Sequence, residues 1–238
     1  MNTKVLTLIP ARRGSKGIKK KNLKKIGGIP LFFRAINTAS QSKKTTKIAV
    51  SSNDNAIKTA VLKNKIDYID RPDSLASDNS HINSTIEHAL NFYKRKNIYF
   101  DIVVLLQPTS PFRTAAQLDQ LVKNLENSQS DSIVSIVPMF EKNPARMYKI
   151  GKNEILNPID KNQEHLRRQD LKPVYFRNGC FYAVKVSYFN RDKKLISDNK
   201  IGFIMDPKWL INIDEDIDLK LANLVYKDWE NEHLNNRE

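Results

Sequence analysis

The sequence predicts an α/β protein built on a twisted, largely parallel sheet that is flanked by helices. Apolar segments of strand length and amphipathic segments of helix length alternate four times along residues 4–137. The clearest strand is DIVVLLQP, residues 101–108, whose consecutive apolar residues are expected when both faces of a strand are covered. The chain has 238 residues, of which 40% are hydrophobic, and is long enough for one such domain.

The predicted elements follow one another in a regular order up to residue 137. The predicted strands are residues 4–9, 47–51, 67–69, 101–108 and 132–137. Between them we predict a helix that begins near Pro30, one capped by Asn53 or Asp54, and helices over residues 80–96 and 114–127. In each helix apolar residues recur at three-to-four spacing, which favours packing of one face against the sheet.

The pattern changes after Pro138. Residues 139–175 are polar, contain prolines and have little periodicity. We interpret them as an excursion from a single domain that spans residues 1–238, rather than as a second domain. Regularity returns with predicted strands at residues 179–186 and 202–205, and a helix from about residue 215 to residue 230 closes the chain.

Positive charge is concentrated in the first quarter of the chain. The formal net charge is +14, and residues 1–53 hold thirteen Lys or Arg and no Asp or Glu, which leaves 27 basic and 26 acidic residues elsewhere. A protein that binds nucleic acid through an extended face usually spreads its basic residues over several elements. The distribution therefore favours a local site for a polyanion, or else a solvated basic helix edge.

The basic segment IPARRGSKGIKKKN, residues 9–22, follows the first predicted strand, and ligands of open parallel sheets bind at the carboxyl ends of strands. Its glycines allow a tight turn and its cations could neutralise a triphosphate, although a solvated basic loop is the alternative. The candidate phosphate contacts are Arg12, Gly14, Lys16, Gly17 and Lys21. Neither the P-loop nor the dinucleotide fingerprint is present, so a nucleotide site here is of another kind.

Two further segments are candidates for chemistry. QPTSPFR, residues 107–113, offers the amide of Gln107 on a turn held by two prolines, or is only a turn with a helix cap. NIDEDIDL, residues 212–219, places Asp214 and Asp216 where they could bind Mg²⁺ with substrate phosphates. Acids at the start of a helix also cap it, and from these residues alone the cap is favoured.

Cysteine content and hydropathy bear on the compartment. The single cysteine, Cys180, cannot form an internal disulfide, and the apolar run at residues 5–9 is too short for a signal peptide. No segment approaches the roughly 18 consecutive apolar residues that span a bilayer. These observations predict a cytoplasmic protein that is not embedded in a membrane.

Four segments, taken together in this order, carry a family resemblance. Residues 11–22 match A-R-x-x-S-K-G-x-x-x-K-N, Arg71 and Pro72 match an R-P dipeptide, and residues 106–113 match L-Q-P-T-S-P-x-R. An R-x-x-L…N-G stretch is matched by Arg168, Leu171, Asn178 and Gly179. Over nearly its full length the chain resembles the acylneuraminate cytidylyltransferases, or CMP-sialic acid synthetases, which include enzymes that activate legionaminic and pseudaminic acids.

The resemblance implies a Rossmann-like nucleotidyltransferase fold and a reaction in cell-surface glycan synthesis. The CMP group of CTP would be transferred to a nonulosonic acid, a nine-carbon 2-keto sugar acid, with release of pyrophosphate and a requirement for Mg²⁺. The likeness also implies a homodimer, in which residues 139–175 make the dimer contact. No membrane and no nucleic acid would take part.

The resemblance also implies roles for individual residues. Around the triphosphate it places Arg12, Ser15, Lys16 and Lys21, of which we expect Lys21 and Arg12 to be catalytic. On the cytidine side it places Asn22, Arg71 and the residues near Ser84. Toward the sugar it places Gln107, Arg168, Asn178 and Tyr182. The carboxyl-terminal aspartates would hold the metal, and no residue stands out as a general base.

The chain departs from the family pattern at the metal position. Family members commonly carry D-I-D where this chain reads Asn212, Ile213, Asp214. An amide oxygen can ligate Mg²⁺ but brings no charge, so Asp214 is the stronger ligand and a direct role for Asn212 is in doubt. Lys172 also precedes Pro173, so the proline after Leu171 is displaced by one residue.

The sequence leaves two alternative functions, one within the same class of enzyme and one in a different class of protein. A 3-deoxy-manno-octulosonate cytidylyltransferase would share the fold and the reaction, but its opening loop ordinarily continues as K-P-L, whereas Asn22 follows Lys21 here. A nucleic-acid-binding protein would use the basic amino-terminal segment and bind less tightly as salt rises. It leaves the matches at residues 107–113 and 168–179 unexplained.

Overall fold

The computed structural model describes residues 3–14, 17–77 and 80–235. Its strands are β1 (Val5–Pro10), β2 (Lys25–Ile26), β3 (Ile29–Pro30), β4 (Lys47–Ser52), β5 (Asp67–Asp70), β6 (Ile102–Leu105), β7 (Ser132–Met139), β8 (Tyr148–Ile150), β9 (Leu156–Pro158), β10 (Val174–Lys185) and β11 (Lys200–Ile204). Its α-helices are α1 (Leu31–Gln41), α2 (Asn55–Lys63), α3 (Ile82–Lys94), α4 (Ala115–Glu126), α5 (Val186–Asp192) and α6 (Asp216–Glu230).

Seven strands form one mixed sheet in the order β11-β7-β10-β6-β1-β4-β5. β10 runs antiparallel to β6 and β7, and the other neighbouring strands are parallel. β1 and β6 lie side by side near the centre of the sheet, which explains why both are buried and mostly apolar. The predicted α/β class with a mostly parallel sheet is confirmed.

Alternate residues of the central strands build two cores, one on each face of the sheet. In β1, Val5 and Ile9 pack in one cluster with residues of α1, α2 and α4, whereas Leu6 and Leu8 pack in the other with residues of α3 and α5. The sequence predicted Asn53 or Asp54 as the cap of α2. Asp54 is the cap, since its carboxylate accepts from the backbone N–H of Ala56 at 2.8 Å. The result is a sheet covered by helices on both faces.

A third core fixes α6 against the segment that follows β1. Ile18 and Ile26 pack with Phe112, Trp209 and Trp229, all of them buried. The backbone N–H of Ile213, just before α6, donates to the carbonyl oxygen of Thr109 at 2.7 Å. This packing brings residues 212–215 beside residues 17–22, although about 190 residues separate them along the chain.

Several predicted boundaries are wrong for tertiary reasons. The strand predicted at residues 101–108 spans only Ile102–Leu105, because after Leu106, whose N–H still donates to the carbonyl oxygen of Leu8 at 3.0 Å, the chain leaves the sheet as a loop. The last predicted strand residue before α5, Val186, begins that helix, which the sequence interpretation missed. β10 begins at Val174 rather than at residue 179, since its first residues pair with β7 across an irregularity between Arg177 and Tyr182.

Residues 140–173 leave the sheet between β7 and β10, where Met139 and Val174 pair. They form the β8–β9 hairpin and short 3-10 turns. Several large apolar side chains on this excursion face solvent, among them Phe140, Ile150, Ile155, Leu156 and Ile159. Within the described residues, no helix combines the length and the apolar character needed to cross a membrane.

Candidate functional site

A cleft of about 570 Å³ opens where the carboxyl ends of β1 and β6 lie side by side. This is the edge at which open parallel sheets bind ligands. The residues that line it are Pro10, Arg12, Gly14, Gly17, Lys21, Asn22, Gln107, Pro108, Thr109, Asn212, Asp214 and Glu215. The structure thus brings together residues from three of the segments that the sequence singled out. We call this space the first cleft.

Hydrogen bonds fix the loop that follows β1. The N–H of Ala11 donates to the carbonyl oxygen of Ser51 at 2.9 Å, and the amide of Asn22 donates to the carbonyl oxygen of Arg12 at 2.9 Å. The Arg12 guanidinium donates to the carbonyl oxygen of Ser77 at 2.7 Å. Asn22 therefore closes the loop on itself, and Arg12 ties it to the chain beyond β5.

Lys21 faces the start of α6 across the first cleft. Its Nζ lies 2.8 Å from Oδ1 of Asp214, and the Lys21 side chain is 13% exposed against 62% for Asp214. The ammonium is thus held on the wall of the cleft while the carboxylate stands in solvent. This ion pair joins the two segments that the sequence predicted to carry phosphate and metal.

Gly17 makes the close approach of these segments possible. A Cβ built on Gly17 would lie 2.0 Å from the carbonyl oxygen of Asp214, a distance that backbone atoms cannot accommodate without shifting. By contrast, a Cβ on Gly14 would meet nothing within 4 Å. The second glycine of the basic segment is therefore required by packing against residue 214, which the sequence alone did not show.

Asn212 contacts Asp214 through its amide nitrogen. Its Nδ2 donates to Oδ2 of Asp214, while its Oδ1 accepts from the hydroxyl of Ser110 at 3.3 Å. The amide oxygen thus faces Ser110 rather than the carboxylate. Both oxygens of Asp214 have donors, Lys21 on one and Asn212 on the other.

The predicted helix cap is provided by neighbours of Asp214. The side chain of Asp218 accepts from the N–H groups of Asp214 at 2.9 Å and of Glu215 at 2.8 Å, and Glu215 is the N-cap of α6. Asp216 lies in the first turn of α6, where its negative charge interacts favourably with the positive end of the helix dipole. The cap therefore does not use the Asp214 carboxylate, which lines the first cleft with Lys21 and Asn212 as its donors.

Among the described residues, no three His, Cys, Asp or Glu side chains are grouped so that they could hold a metal ion by themselves. Mg²⁺ is often held by one or two carboxylates together with substrate phosphates, because it gives up its waters reluctantly. A single exposed carboxylate beside a cleft that also carries Arg12 and Lys21 fits that pattern. Asp214 is the side chain that offers it.

Arg71 is buried next to the first cleft. Its Nη2 donates to the carbonyl oxygen of Ser51 at 2.8 Å and its Nε to the hydroxyl of Ser51 at 3.0 Å. Burial and the nearby charge of Arg12 lower the pKa of Arg71 to about 10. Two guanidinium groups thus lie close to each other beside the loop that follows β1.

A second cleft of about 350 Å³ adjoins the first, and Gln107 lines both. Its lining residues are His81, Ile82, Asn83, Gln107, Arg177, Tyr182, Lys194, Leu195 and Ile196. Tyr182 is largely buried, and burial raises the pKa of its hydroxyl. The guanidinium carbon of Arg177 lies 5.9 Å from the Tyr182 ring centroid. Both clefts have volumes typical of small-molecule sites.

Arg113 holds Gln107 at the junction of the two clefts. Its guanidinium, which is 2% exposed, donates to the carbonyl oxygen of Gln107 at 2.8 Å and to that of Cys180 at 2.7 Å. The loop after β6 is thereby fixed to β10. Arg113 belongs to the matched 106–113 segment, but the sequence analysis assigned it no role.

Not all the predicted sugar contacts reach the clefts. The Asn178 side chain is buried, where Oδ1 accepts from the hydroxyl of Ser135 at 2.5 Å and Nδ2 faces Sδ of Met205 at 3.3 Å. Arg168 lies on the excursion and pairs with Glu141 at 3.4 Å, with 61% of its side chain exposed. Of the four residues predicted toward the sugar, Gln107 and Tyr182 line the second cleft.

The remaining predicted nucleotide contacts are not among the described residues that line the first cleft. Ser84 is partly buried in the first turn of α3, and its N–H donates to the carbonyl oxygen of His81 at 3.1 Å. Ser15 and Lys16 lie outside the described residues. The sequence reasoning missed His81, Arg177 and Lys194, since no spacing rule connects the segments that carry them.

Comparison with known proteins gives the family. A cytidylyltransferase family model matches residues 6–230. The chain is 28% identical over 222 residues to the N-acylneuraminate cytidylyltransferase of Escherichia coli, an alignment that covers 93% of this chain and 52% of that relative. The chain therefore spans about half the length of this relative. It is 29% identical over 218 residues to the CMP-N,N'-diacetyllegionaminic acid synthase of Legionella pneumophila, covering 91% of this chain and 90% of that enzyme.

A solved structure shows the same fold. The structure of CMP:2-keto-3-deoxy-manno-octonic acid synthetase complexed with CTP superposes with a TM-score of 0.67 and 15% sequence identity, covering 95% of this chain and 100% of that chain. At this identity the likeness establishes the fold alone. The Rossmann-like nucleotidyltransferase architecture predicted from the sequence is thereby confirmed.

Proposed function

We propose, because this chain belongs to the cytidylyltransferase family, that it transfers the CMP group of CTP to a nonulosonic acid and releases pyrophosphate. One observation carries the proposal: a cleft walled by Arg12 and Lys21 meets a second cleft at Gln107. The first offers cations for a triphosphate, and the second has room for a polyhydroxylated ring. The two substrates would thus meet at the junction.

The reaction requires attack at the α-phosphorus of CTP. The oxygen of the anomeric hydroxyl forms a bond to that phosphorus as the bond to the bridging oxygen of pyrophosphate breaks, and the hydroxyl loses its proton to solvent or to a phosphate oxygen. Phosphoryl-type transfer depends chiefly on positioning and on stabilisation of charge. Lys21 and Arg12 would neutralise the charge that develops on the α-phosphate and on the leaving group.

Arg12 and Arg71 would act together on the nucleotide. An anionic or carbonyl group that binds beside both guanidiniums relieves their mutual repulsion, which contributes to the lowered pKa of Arg71. Asn22, bonded to the backbone of Arg12, would keep the loop in shape and approach the cytidine with Ser84. Ser15 and Lys16 would contact the phosphates, as the family resemblance implies, and Gly14 would let the backbone turn beside them.

Mg²⁺ would be held by Asp214, together with phosphate oxygens of CTP. When bound, it would supply positive charge to the polyphosphate and acidify an oxygen that it ligates. Lys21 would have to release Asp214 and turn toward the phosphates as the nucleotide binds. The Asn212 amide, with its nitrogen directed at Asp214, would orient that carboxylate instead of ligating the ion.

The sugar acid would occupy the second cleft. Gln107 would contact it from the junction, and the hydroxyl of Tyr182 from the wall. Asn178 would act indirectly, since its hydrogen bonds hold β10 at the irregularity before Tyr182. Arg168 pairs with Glu141 on the excursion, so we expect it to reach the sugar only when that segment is arranged in an assembly.

We further propose that the protein is a homodimer that works in the cytoplasm. An apolar groove of about 320 Å³ lies at the base of the excursion, lined by residues that include Met139, Met147, Val174 and Phe176. Phe176 is 54% exposed, and apolar side chains on the hairpin are exposed as well. A second copy would cover this surface, since exposed apolar patches of this kind usually mark association sites.

The proposal is tested by measuring pyrophosphate release from CTP with a panel of sugar acids. The panel would contain N-acetylneuraminic, N,N'-diacetyllegionaminic and pseudaminic acids, with 3-deoxy-manno-octulosonic acid as the arm for the alternative enzyme. We expect release with at least one nonulosonic acid, and with CTP in preference to ATP, GTP and UTP. Release with the octulosonic acid alone, or with none of the acids, would contradict the proposal.

A further inference from the structure

The lining of the second cleft includes an apolar wall that the proposed reaction leaves without a role. Ile82 at the start of α3 and Leu195 and Ile196 after α5 line it. Leu195 is 5% exposed, and Ile82 and Ile196 are partly buried while facing the cleft. Three aliphatic side chains together are unexpected in a site for a polyhydroxylated sugar, whose hydroxyl groups need hydrogen-bond partners.

The wall is held in place from two sides. The N–H of Leu195 donates to Oδ1 of Asn83 at 3.1 Å, which ties the segment after α5 to the first turn of α3. Lys193 pairs with Glu87 at 2.8 Å and joins the same two elements again. Because the Asn83 oxygen already accepts from Leu195, it is engaged within the protein. The hydrogen bond from Leu195 to Asn83 thus joins the two elements that carry the apolar wall.

The chemistry of the reaction fixes the direction in which the sugar lies. In a 2-keto sugar acid the anomeric carbon carries both the attacking hydroxyl and the carboxylate, so both must stay near the α-phosphate in the first cleft. Gln107 marks the junction of the clefts. The ring and the side chain beyond it must then extend into the second cleft, with the last carbon farthest from the phosphates.

On this basis, which rests on the proposed function, we infer that Ile82, Leu195 and Ile196 form a subsite for the terminal carbon of the sugar and select nonulosonic acids that end in a methyl group. A terminal methyl is buried favourably against aliphatic side chains. A terminal hydroxyl would lose hydrogen bonds to water there, and a hydrophobic pocket rejects an added hydroxyl by up to about 100-fold.

Two cations in the same cleft suit the other substituents of such a sugar. The side chains of Arg177 and Lys194 carry hydrogen-bond donors and no acceptors. Carbonyl oxygens of acylamino groups are acceptors that they can serve. The second cleft thus favours a sugar acid with acylamino groups along its chain and a methyl at its end.

The inference is tested with a pair of substrates that differ in one atom, N-acetylneuraminic acid and its 9-deoxy analogue. For the wild-type chain we expect kcat/KM to be at least about tenfold higher for the 9-deoxy sugar. In Ile196→Thr, which keeps the branched shape and adds a hydroxyl, we expect the ratio to fall below about threefold. Ile82→Thr provides a second variant in case Ile196→Thr fails to fold, as judged by thermal unfolding.

Ile98→Thr is the matched control, because Ile98 is 37% exposed and lines a different depression beside Leu90 and Phe100. It should keep the wild-type ratio. Equal kcat/KM for the two sugars in the wild-type chain, or an unchanged ratio in both wall variants, would overturn the inference while the proposed function stands. Absence of turnover with every nonulosonic acid would overturn the proposed function and the inference with it.

Discussion

The Nζ of Lys21 lies 2.8 Å from Oδ1 of Asp214, so the cation predicted for phosphate and the carboxylate predicted for metal neutralise each other across the first cleft. The pair is partly exposed, and its contribution to folding is small because solvent screens such pairs. Its consequence is functional. A nucleotide with Mg²⁺ would replace one ion pair by two, Lys21 with phosphate and Asp214 with the metal.

Removal of the Lys21 charge should impair the chemical step more than folding. We expect Lys21→Ala to slow pyrophosphate release from CTP and sugar by more than about tenfold, equivalent to about 1.4 kcal/mol of barrier. The reason is that the departing pyrophosphate would lose one of the cations that we propose neutralise its charge. Lys19→Ala, a change at an exposed neighbour, is the matched control. A smaller loss in Lys21→Ala would show that its catalytic role is wrong.

A second carboxylate at position 212 should strengthen metal binding. Asn212→Asp replaces the amide that donates to Asp214 by an acceptor, so two carboxylates would face each other and attract a divalent cation. We expect the Mg²⁺ concentration for half-saturation, measured calorimetrically with CTP present, to fall about tenfold. Asp214→Ala should abolish the response to Mg²⁺. A rate of Asp214→Ala that matches the wild-type rate at limiting Mg²⁺ would show that residue 214 does not hold the metal.

The two glycines of the basic loop should respond differently to the same substitution. Gly17→Ala would place a methyl 2.0 Å from the carbonyl oxygen of Asp214 and force the loop away from α6. We expect it to cost about 1–3 kcal/mol of unfolding free energy, as overpacking does. Gly14→Ala meets open space and should leave the urea midpoint unchanged. Equal urea midpoints for the two variants would contradict the contact between Gly17 and residue 214.

Arg113 should be irreplaceable by lysine, although both side chains carry one positive charge. The guanidinium donates to two carbonyl oxygens at once, those of Gln107 and Cys180, and one ammonium cannot keep both geometries. We expect Arg113→Lys to lower the free energy of unfolding by about 2 kcal/mol, the scale of one charged hydrogen bond. KM for the sugar should rise, since Gln107 would shift. The exposed Arg191→Lys is the control and should change neither quantity.

His88 should make stability depend on pH near neutrality. Burial, and then the charges of Arg95 and Arg71, lower the pKa of His88. The unfolded chain therefore binds this proton more readily, so stability should fall as pH drops below the unfolded pKa of about 6.5 and level off below the folded pKa. His88→Gln should flatten this fall in urea midpoints, whereas His165→Gln, at an exposed position, should not. Parallel profiles for wild type and His88→Gln would refute the prediction.

The sequence by itself determined the α/β class, most of the helices and strands up to residue 137, and the segments that carry the site. These follow from local rules: an apolar run covered on both faces, helical spacing, caps, and motifs read along a single segment. The pairing of Lys21 with Asp214 was outside those rules. The two residues are 193 positions apart, and the third core, through Phe112, Trp209 and Trp229, brings them together.

The tertiary structure alone decided the rest of the site. It placed Asn178 in the core, where Ser135 of β7 donates to it, and it placed Gln107 at the junction of two clefts, because Arg113 ties the loop that carries both residues to Cys180 of β10. It also made Gly17 a packing requirement and Gly14 an open position, a distinction that two glycines three residues apart do not reveal. Spacing along the chain records which groups are near in sequence, whereas chemistry depends on which atoms the packing of helices on the sheet brings within reach.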